Sequence, residues 1–434
     1  MSKYGLLCCA LLLTGSTACL AQERLTLEDA IGRAMKKNYD IAMADISAKQ
    51  AARNNTLGNA GFAPNISANG TLSESRSNVY SELSNGNVQS NPNGQNVNFS
   101  PNIGIQWTLF DGGKMFLTKG QLHELELIGK VQLKLQVQTI VSRTIQMYAQ
   151  ALLQQKQLVA IDTALALAGV RMKITQVKYE TGAGAKVDYL QAIVDYNSHR
   201  SDSLTQVAST AYAYDSLSVL MGEKEGTTYQ LDDTLVLHAD LQPIDYGRLE
   251  ETNLWIDYYK KNADVSKINS RIAKTYFLPN LTFTGGYSYS QSTSATGFAL
   301  YSRNYGPNGV LNLSVPIFEG GNLRRQAKVA SLQAMKDELL YEKQNTVIRR
   351  QYRTAWRNYE VSVAAYNLEH ENIAYAKENL MVQQARFRVG VATTLESRQA
   401  ENDYTSALIR LYTAAYNLKV NETVVLELEN KLVQ

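Results

Sequence analysis

Two kinds of hydrophobic spacing run along this chain, and each occurs twice. Ile66, Ala68, Gly70 and Leu72 alternate with Ser67, Asn69, Thr71 and Ser73, and Ile103, Ile105, Trp107 and Leu109 alternate with Gly104, Gln106 and Thr108. The second half sets Leu281, Phe283, Tyr287 and Tyr289 against Thr282, Thr284, Ser288 and Ser290, then Leu311, Leu313, Val315 and Ile317 against Asn312, Ser314 and Pro316. Period-two alternation predicts strands with one apolar and one polar face. Elsewhere the apolar positions step by three and four, as in Val137, Val141, Ile145, Tyr148 and Leu152, and in Ile348, Tyr352, Trp356, Tyr359, Val363 and Tyr366. Such a narrow stripe is a coiled-coil seam. The runs that carry it, 114–178 and 322–386, contain no proline. Each is about 65 residues, or roughly 100 Å of helix at 1.5 Å per residue.

The recurrence is a duplication. At a constant spacing of 208 residues, Lys178 meets Arg386, Tyr179 meets Phe387, Gly182 meets Gly390, Asp188 meets Glu396 and Ala192 meets Ala400. The same spacing lays Leu109–Gly113 on Ile317–Gly321, and Phe62–Ser67 resembles Phe277–Thr282 at a spacing of 215. A period this long is a duplicated half and not a solenoid, whose repeats run about 20–50 residues. We divide the chain into a leader (1–21), a first repeat (22–221), a connector (222–245) rich in Gly, Asp and Pro, and a second repeat (246–434). Each repeat reads as a helix (near 25–57 and 246–274), a hairpin, a long helix, a tip and a last helix (188–221 and 394–432). The stretches 75–101 and 291–309 are rich in Asn and Ser and read as polar loops, since such composition forms no core.

Alternating strands with aromatics near their ends suit a sheet between lipid and water. For a single strand of this kind, a sheet in a soluble sandwich would be the favoured reading. Four strands in two hairpins cannot close a barrel, and an open edge is not tolerated in lipid. Lipid-facing Ile103, Ile105, Trp107, Leu281, Phe283, Tyr287, Leu311 and Leu313 therefore require strands pooled with further copies of the chain.

The stretch Thr181–Lys186, TGAGAK, superficially resembles a phosphate loop. A dinucleotide fingerprint would need glycine where Val187 stands, and a Walker loop would not separate Gly184 from Lys186 by Ala185. What precedes it is a helix and not a strand. Glycine just past a helix end is a usual stop because it accepts the left-handed conformation, so Gly182 and Gly390 read as tips of helical hairpins. Gly112, Gly113, Gly320 and Gly321 turn strand into helix.

The leader, Lys3 followed by an apolar run and small residues, is a secretory signal too short to anchor in a bilayer. Cleavage after Ala21 leaves Gln22 at the N-terminus; the rival reading lipidates Cys19, with Ser16 where an apolar residue is usual. All three cysteines lie in the leader, the four histidines are scattered, and the net charge is +3. No disulfide, metal site, cofactor motif or nucleic-acid partner follows from this composition.

The leader, the doubled hairpins, the two long helices and the glycine tips, with Phe-Asp/Glu-Gly-Gly and Val-Gly followed by an acid, resemble the TolC-like outer-membrane efflux proteins across the mature chain. The resemblance implies a fold that is mainly α with membrane β. It implies a homotrimer whose 12-stranded barrel continues into an α-helical periplasmic tunnel. It also implies an outer-membrane exit duct docked by its tips to a periplasmic adaptor and an inner-membrane pump. In that family the second tip lines the entrance with acids, matched by Glu396 and, in the other repeat, Asp188. A second acid is replaced here by Gln399. A closing tyrosine and arginine are replaced by Phe387 and Ala392, so the family's lock is absent or rebuilt. Thr181, Gly182, Val389 and Gly390 are the implied adaptor contacts.

Glu396 also completes a capping box with Thr393, and Asp188 suits the positive first turn of its helix. In a threefold assembly, an acid facing the lumen becomes a ring of three that repels itself and binds cations. A structural trimeric stalk and a periplasmic enzyme are the competing classes. The doubled hairpins and tips disfavour the stalk, and the lack of a convergent triad, metal cluster or cofactor motif disfavours the enzyme.

Overall fold

A computed structural model describes residues 23–224, 229–232, 235–294 and 299–433. The leader, its cleavage point and Cys19 lie outside the described residues. Two compact units form, each drawing on both repeats. One comprises the chain to Asn38, Arg143–Ala239 and Val361–Val420; the other comprises Tyr39–Ser142, Asp240–Glu360 and the chain from Asn421.

The second of these holds the membrane-type sheet. Strands β2 (Asn65–Glu82), β3 (Val88–Asp111), β5 (Asn280–Ser294) and β6 (Tyr301–Ser314) pair antiparallel in the order β2-β3-β5-β6. Their register puts Ile66 opposite Ile105, Ile103 opposite Tyr287, Trp107 opposite Phe283, and Phe283 opposite Leu311. Side chains alternate along a strand, so these residues, Leu281 and Leu313 share one face. Asn69, Asn102, Ser288, Thr282 and Asn312 lie on the other. Ile103, Leu311 and Leu313 on the apolar face are more than half exposed.

Three strand readings change. The stretches 75–101 and 291–309 are largely strand, and the first hairpin turns only at 83–87. Asn and Ser carry no apolar alternation to read, but their backbone still completes the ladder with its partner. Leu109 leaves the apolar register at a bulge between Thr108 and Phe110, and Phe110 pairs with Leu281 in its place. Val315 and Ile317 fall beyond β6, where Pro316 cannot donate to a ladder.

The long helices are α3 (Lys114–Glu180) and α7 (Asn322–Arg388), each 67 residues. Both are entered through glycine pairs with positive φ: Gly112 (71°), Gly113 (84°), Gly320 (62°) and Gly321 (77°). A Cβ on Gly112 would also lie 2.6 Å from Leu278 Cβ, so the turn excludes a side chain twice over.

Each expected leading helix is broken. The first is α1 (Leu27–Lys37) and α2 (Tyr39–Asn54), and the second is α5 (Tyr246–Thr252) and α6 (Leu254–Thr275). The breaks fall at Asn38 and Asn253, both in extended backbone. Asn253 Oδ1 accepts from Trp255 N and Ile256 N while its Nδ2 donates to Leu428 O at 2.8 Å. One amide thus starts α6 and ends α8 (Thr394–Leu428). Asn38 Nδ2 makes the matching bond to Leu220 O, 3.0 Å away, at the end of α4 (Lys186–Leu220).

The other unit closes around a core of Leu25, Ala30, Tyr148, Leu152, Leu217, Met221, Tyr229 and Leu231. Here β1 (Glu23–Leu25) pairs parallel with β4 (Tyr229–Leu231) of the connector, a second sheet too short to show in the sequence pattern. The buried Tyr148 hydroxyl donates to Leu25 O at 2.9 Å and accepts from Asp232 N at 3.1 Å.

Candidate functional site

The candidate site is the pair of helical tips, where α3 turns into α4 and α7 into α8. Val177 O accepts from Thr181 N, and Tyr179 O accepts from Gly182 N. Gly182 lies at φ 77° and Gly390 at φ 81°, the left-handed stop expected of both. At the second tip Phe387 O accepts from Gly390 N, and Arg386 O accepts from Val391 N at 2.9 Å. Together they form the paired bonds of a Schellman motif. Thr181, Gly182, Val389 and Gly390 are exposed. So are Val187 and Leu395, 208 apart on the first turns of α4 and α8, which sequence reasoning passed over.

Glu396 closes the capping box. Its Oε2 accepts from Thr393 N at 2.7 Å and from Thr393 Oγ1 at 2.8 Å, while Glu396 N donates to Thr393 Oγ1 at 3.2 Å. The Thr393 amide, then its hydroxyl, holds the Glu396 carboxyl below the usual glutamate range, with the Arg386 charge adding to this. Glu396 remains exposed, so the same carboxylate is open to solvent. Asp188 is half-buried in the first turn of α4, whose N-cap is Ala185 and has no side-chain bond.

Gln399 is exposed and donates to Asp403 Oδ1 at 2.8 Å. The pair is repeated 208 residues earlier, where Gln191 donates to Asp195 at 2.9 Å. An acid thus lies one turn beyond Gln399 on the same exposed strip of α8. The i, i+7 spacing of Glu396 and Asp403 was readable in the sequence.

Phe387 and Ala392 are both buried. Lys178 Nζ sits 4.4 Å from the centre of the Phe387 ring and donates to Phe387 O at 3.3 Å. Where the resembled family uses a tyrosine, this chain has a cation over a ring and a backbone carbonyl.

A cluster that sequence reasoning missed lies further up the helices. Arg171, 2% exposed at its side chain, donates from Nη1 to Asp195 Oδ2 at 2.8 Å and from Nε to Glu401 Oε2 at 3.1 Å. Ser397 Oγ donates to the other Glu401 oxygen at 3.1 Å, and Arg398 Nη1 lies 3.8 Å from Asp195 Oδ1. Burial pushes the Glu401 carboxyl up, against the opposing pull of Arg171 and Ser397. Burial also acts on Asp195, but bonds from Arg171 and Gln191 outweigh it and hold that carboxyl down. An arginine inside an apolar stripe was the only sequence signal.

Among the described residues no cluster of His, Cys, Asp or Glu could hold a metal ion, and no helix is long and apolar enough to cross a membrane.

With this geometry, the comparisons with known proteins agree on class. The family model for outer membrane efflux proteins matches residues 30–223 and 259–428, and the chain belongs to that family. It is an outer-membrane protein of an efflux family, not of an enzyme family. Outer membrane protein TolC of Vibrio cholerae serotype O1 is 25% identical over 289 residues, 65% of this chain and 64% of that protein. TolC of Escherichia coli K12 is 23% identical, over 57% of this chain and 52% of the other. The alignments thus span between half and two-thirds of these relatives. Among solved structures, the Campylobacter jejuni CmeC outer membrane channel superposes with TM-score 0.77 at 17% identity, covering 93% of this chain and 85% of that one. CusC superposes with TM-score 0.76 at 19% identity, covering 93% and 91%. At such identities the likeness is one of fold.

Proposed function

We propose that this chain is the passive outer-membrane exit duct of a tripartite efflux or secretion system. The observation that carries the reading is the sheet. It is open at β2 and β6, and its apolar face is exposed along Ile66, Ile103, Tyr287 and Leu311. Within lipid an unpaired edge leaves backbone donors and acceptors unsatisfied, at several kcal/mol each. Three copies supply twelve strands and abolish the edges. The polar face, with Asn69, Asn102 and Asn312, then lines the lumen. The TolC homologues and the CmeC fold support the same assembly.

In this reading the tips are the periplasmic entrance. Glu396 and Asp188 face the passage beside Gln399, with Phe387 and Ala392 packed behind. Thr181, Gly182, Val389 and Gly390 meet a periplasmic adaptor that couples the duct to an inner-membrane pump. The chain catalyses nothing and takes no cofactor, so the energy is the pump's.

The test is single-channel current from the purified protein in a planar bilayer, wild type beside Glu396→Ala. Discrete channels whose conductance or cation preference changes in the variant support both duct and acidic entrance. Channels unchanged by the substitution keep the duct and leave Glu396 as a cap. Absence of current from confirmed trimers, and from a tip-loosened variant, would sink the duct.

A further inference from the structure

We propose that the buried triad of Arg171, Asp195 and Glu401 is a releasable latch that holds α8 against α3 and α4 just above the tips. The inference rests on the duct reading and concerns how its entrance is held. Arg171 stands nine residues before the end of α3, Asp195 nine after the start of α4, and Glu401 seven after the start of α8. All three therefore sit roughly 10–14 Å from the turns. One guanidinium bridges a carboxylate on each of two other helices, so α8 cannot swing from α3 and α4 without breaking the Nε bond to Glu401.

The charged groups facing Glu401 are Arg171 from α3 and Asp195 from α4, and Ser397 of α8 donates to its second oxygen, while Gln191 and Arg398 face Asp195. The triad does not repeat. At a spacing of 208, Asn379 stands for Arg171 and Ile193 for Glu401, while Asp403 matches Asp195. The cluster is thus additional to the contacts that the duplication supplies.

Its chemistry suits a latch that opens. Burying an ion pair costs hydration that the Coulombic attraction only about offsets. When helices part and water enters, both charges recover their hydration, so the contact separates at little net cost. Apolar side chains in the same place would lose their burial on opening and hold harder. Lys178 on Phe387 is a second tie between the same hairpins, nearer the turns.

The two kinds of replacement therefore move the tips in opposite directions. Glu401→Ala frees α8 while Arg171 keeps Asp195. Arg171→Met with Glu401→Leu strands no charge, since Asp195 retains Gln191 and Arg398, and replaces the ionic tie by an apolar one. Amide hydrogen exchange of segments 172–196 and 384–404, in the full-length assembled protein, reads tip opening without relying on conduction. Exchange in Glu401→Ala should be about tenfold faster than wild type, and in the double variant slower by about threefold or more. Channel open probability should follow the same order.

Variants that both match wild type, or both shift in one direction, overturn the latch. If Glu401→Ala does not fold, the double variant decides alone, because wild-type or faster exchange in it excludes a releasable tie. Exchange in the expected order with no current from any protein keeps the latch and removes the duct. Current from every protein with uniform exchange does the reverse.

Discussion

The two tips are copies that stop alike and start differently. Gly182 and Gly390 end α3 and α7 in the same left-handed conformation, and in both copies backbone N–H groups close the turn. The helices that follow begin on Ala185 in one copy and on the Thr393–Glu396 capping box in the other. Above them, Arg171 is buried between two carboxylates while its counterpart Asn379 is exposed. The stop is a steric requirement, and glycine meets it in either copy. The start and the interior contacts depend on side chains, which are free to diverge on an unchanged backbone. The two copies therefore differ in side-chain chemistry at 171, 185, 393, 396 and 401 while sharing their glycine stops.

The comparison can be broken most forcefully at its interior. Arg171→Met leaves Glu401 buried with only the Ser397 hydroxyl, and removing one partner of a buried pair costs about 3–5 kcal/mol. Asn379→Met, at the matching place on an exposed surface, should stay within about 0.5 kcal/mol of wild type. Urea unfolding of the two variants side by side measures this. Equal losses would mean that the repeats are equivalent there after all.

The glycine stops should behave as a matched pair. Gly182→Ala and Gly390→Ala each force a Cβ into the left-handed region, at about 1–2 kcal/mol. Neither position has a neighbour within reach of a Cβ, so conformation alone sets the cost. A large difference between the two would show that one tip is held by its surroundings.

Smaller still is the exchange of caps. Thr393→Ala should lose about 1 kcal/mol, and Ala185→Ser, which recreates Ser-x-x-Asp with Asp188, should gain a comparable amount. Thermal unfolding of the single and double variants tests whether the two starts can be made to trade places.

What the sequence revealed follows from which features are periodic. Strand faces, long helices and glycine turns are set by alternation, by the three-four stripe and by left-handed φ, and these were legible at Ile103, Tyr148 and Gly390. The Asn-rich ends of β2 and β3 were not, because backbone pairing leaves no mark on residues polar on both faces. The breaks at Asn38 and Asn253 were hidden for a related reason: each amide acts on a carbonyl some 180 residues away, at Leu220 and Leu428. The triad was all but invisible, with Arg171 inside an apolar stripe its one trace, since Arg171, Asp195 and Glu401 meet only when three helices pack. Glu396 was half legible. Its capping box is local and was read from four residues, whereas the entrance role we propose for it would arise only in an assembly.

That last distinction can be tested by pH. Glu396 titrates low because Thr393 donates to its charged form, so its contribution is full above 4.5, the ordinary glutamate value, and is lost as pH falls through the lowered one. Glu401 titrates high because it is buried. The stabilisation that its protonation adds is full below 4.5 and is lost as pH rises through the raised value, leaving the ion pair with Arg171 as the tie. Asp195, held low, adds to the acid-side loss. Protection of segment 384–404 against hydrogen exchange, corrected for the intrinsic effect of pH, should thus pass through a maximum in mild acid. Glu401→Ala should remove the limb above the maximum and Glu396→Gln should weaken the limb below it. A high-pH limb that survives Glu401→Ala would assign it to another group. The position of the low-pH limb then separates cap from entrance. Three Glu396 carboxylates converging on one axis repel one another and raise their own pKa values, moving the limb upward. If they stand apart as isolated caps, the limb stays below the ordinary glutamate range.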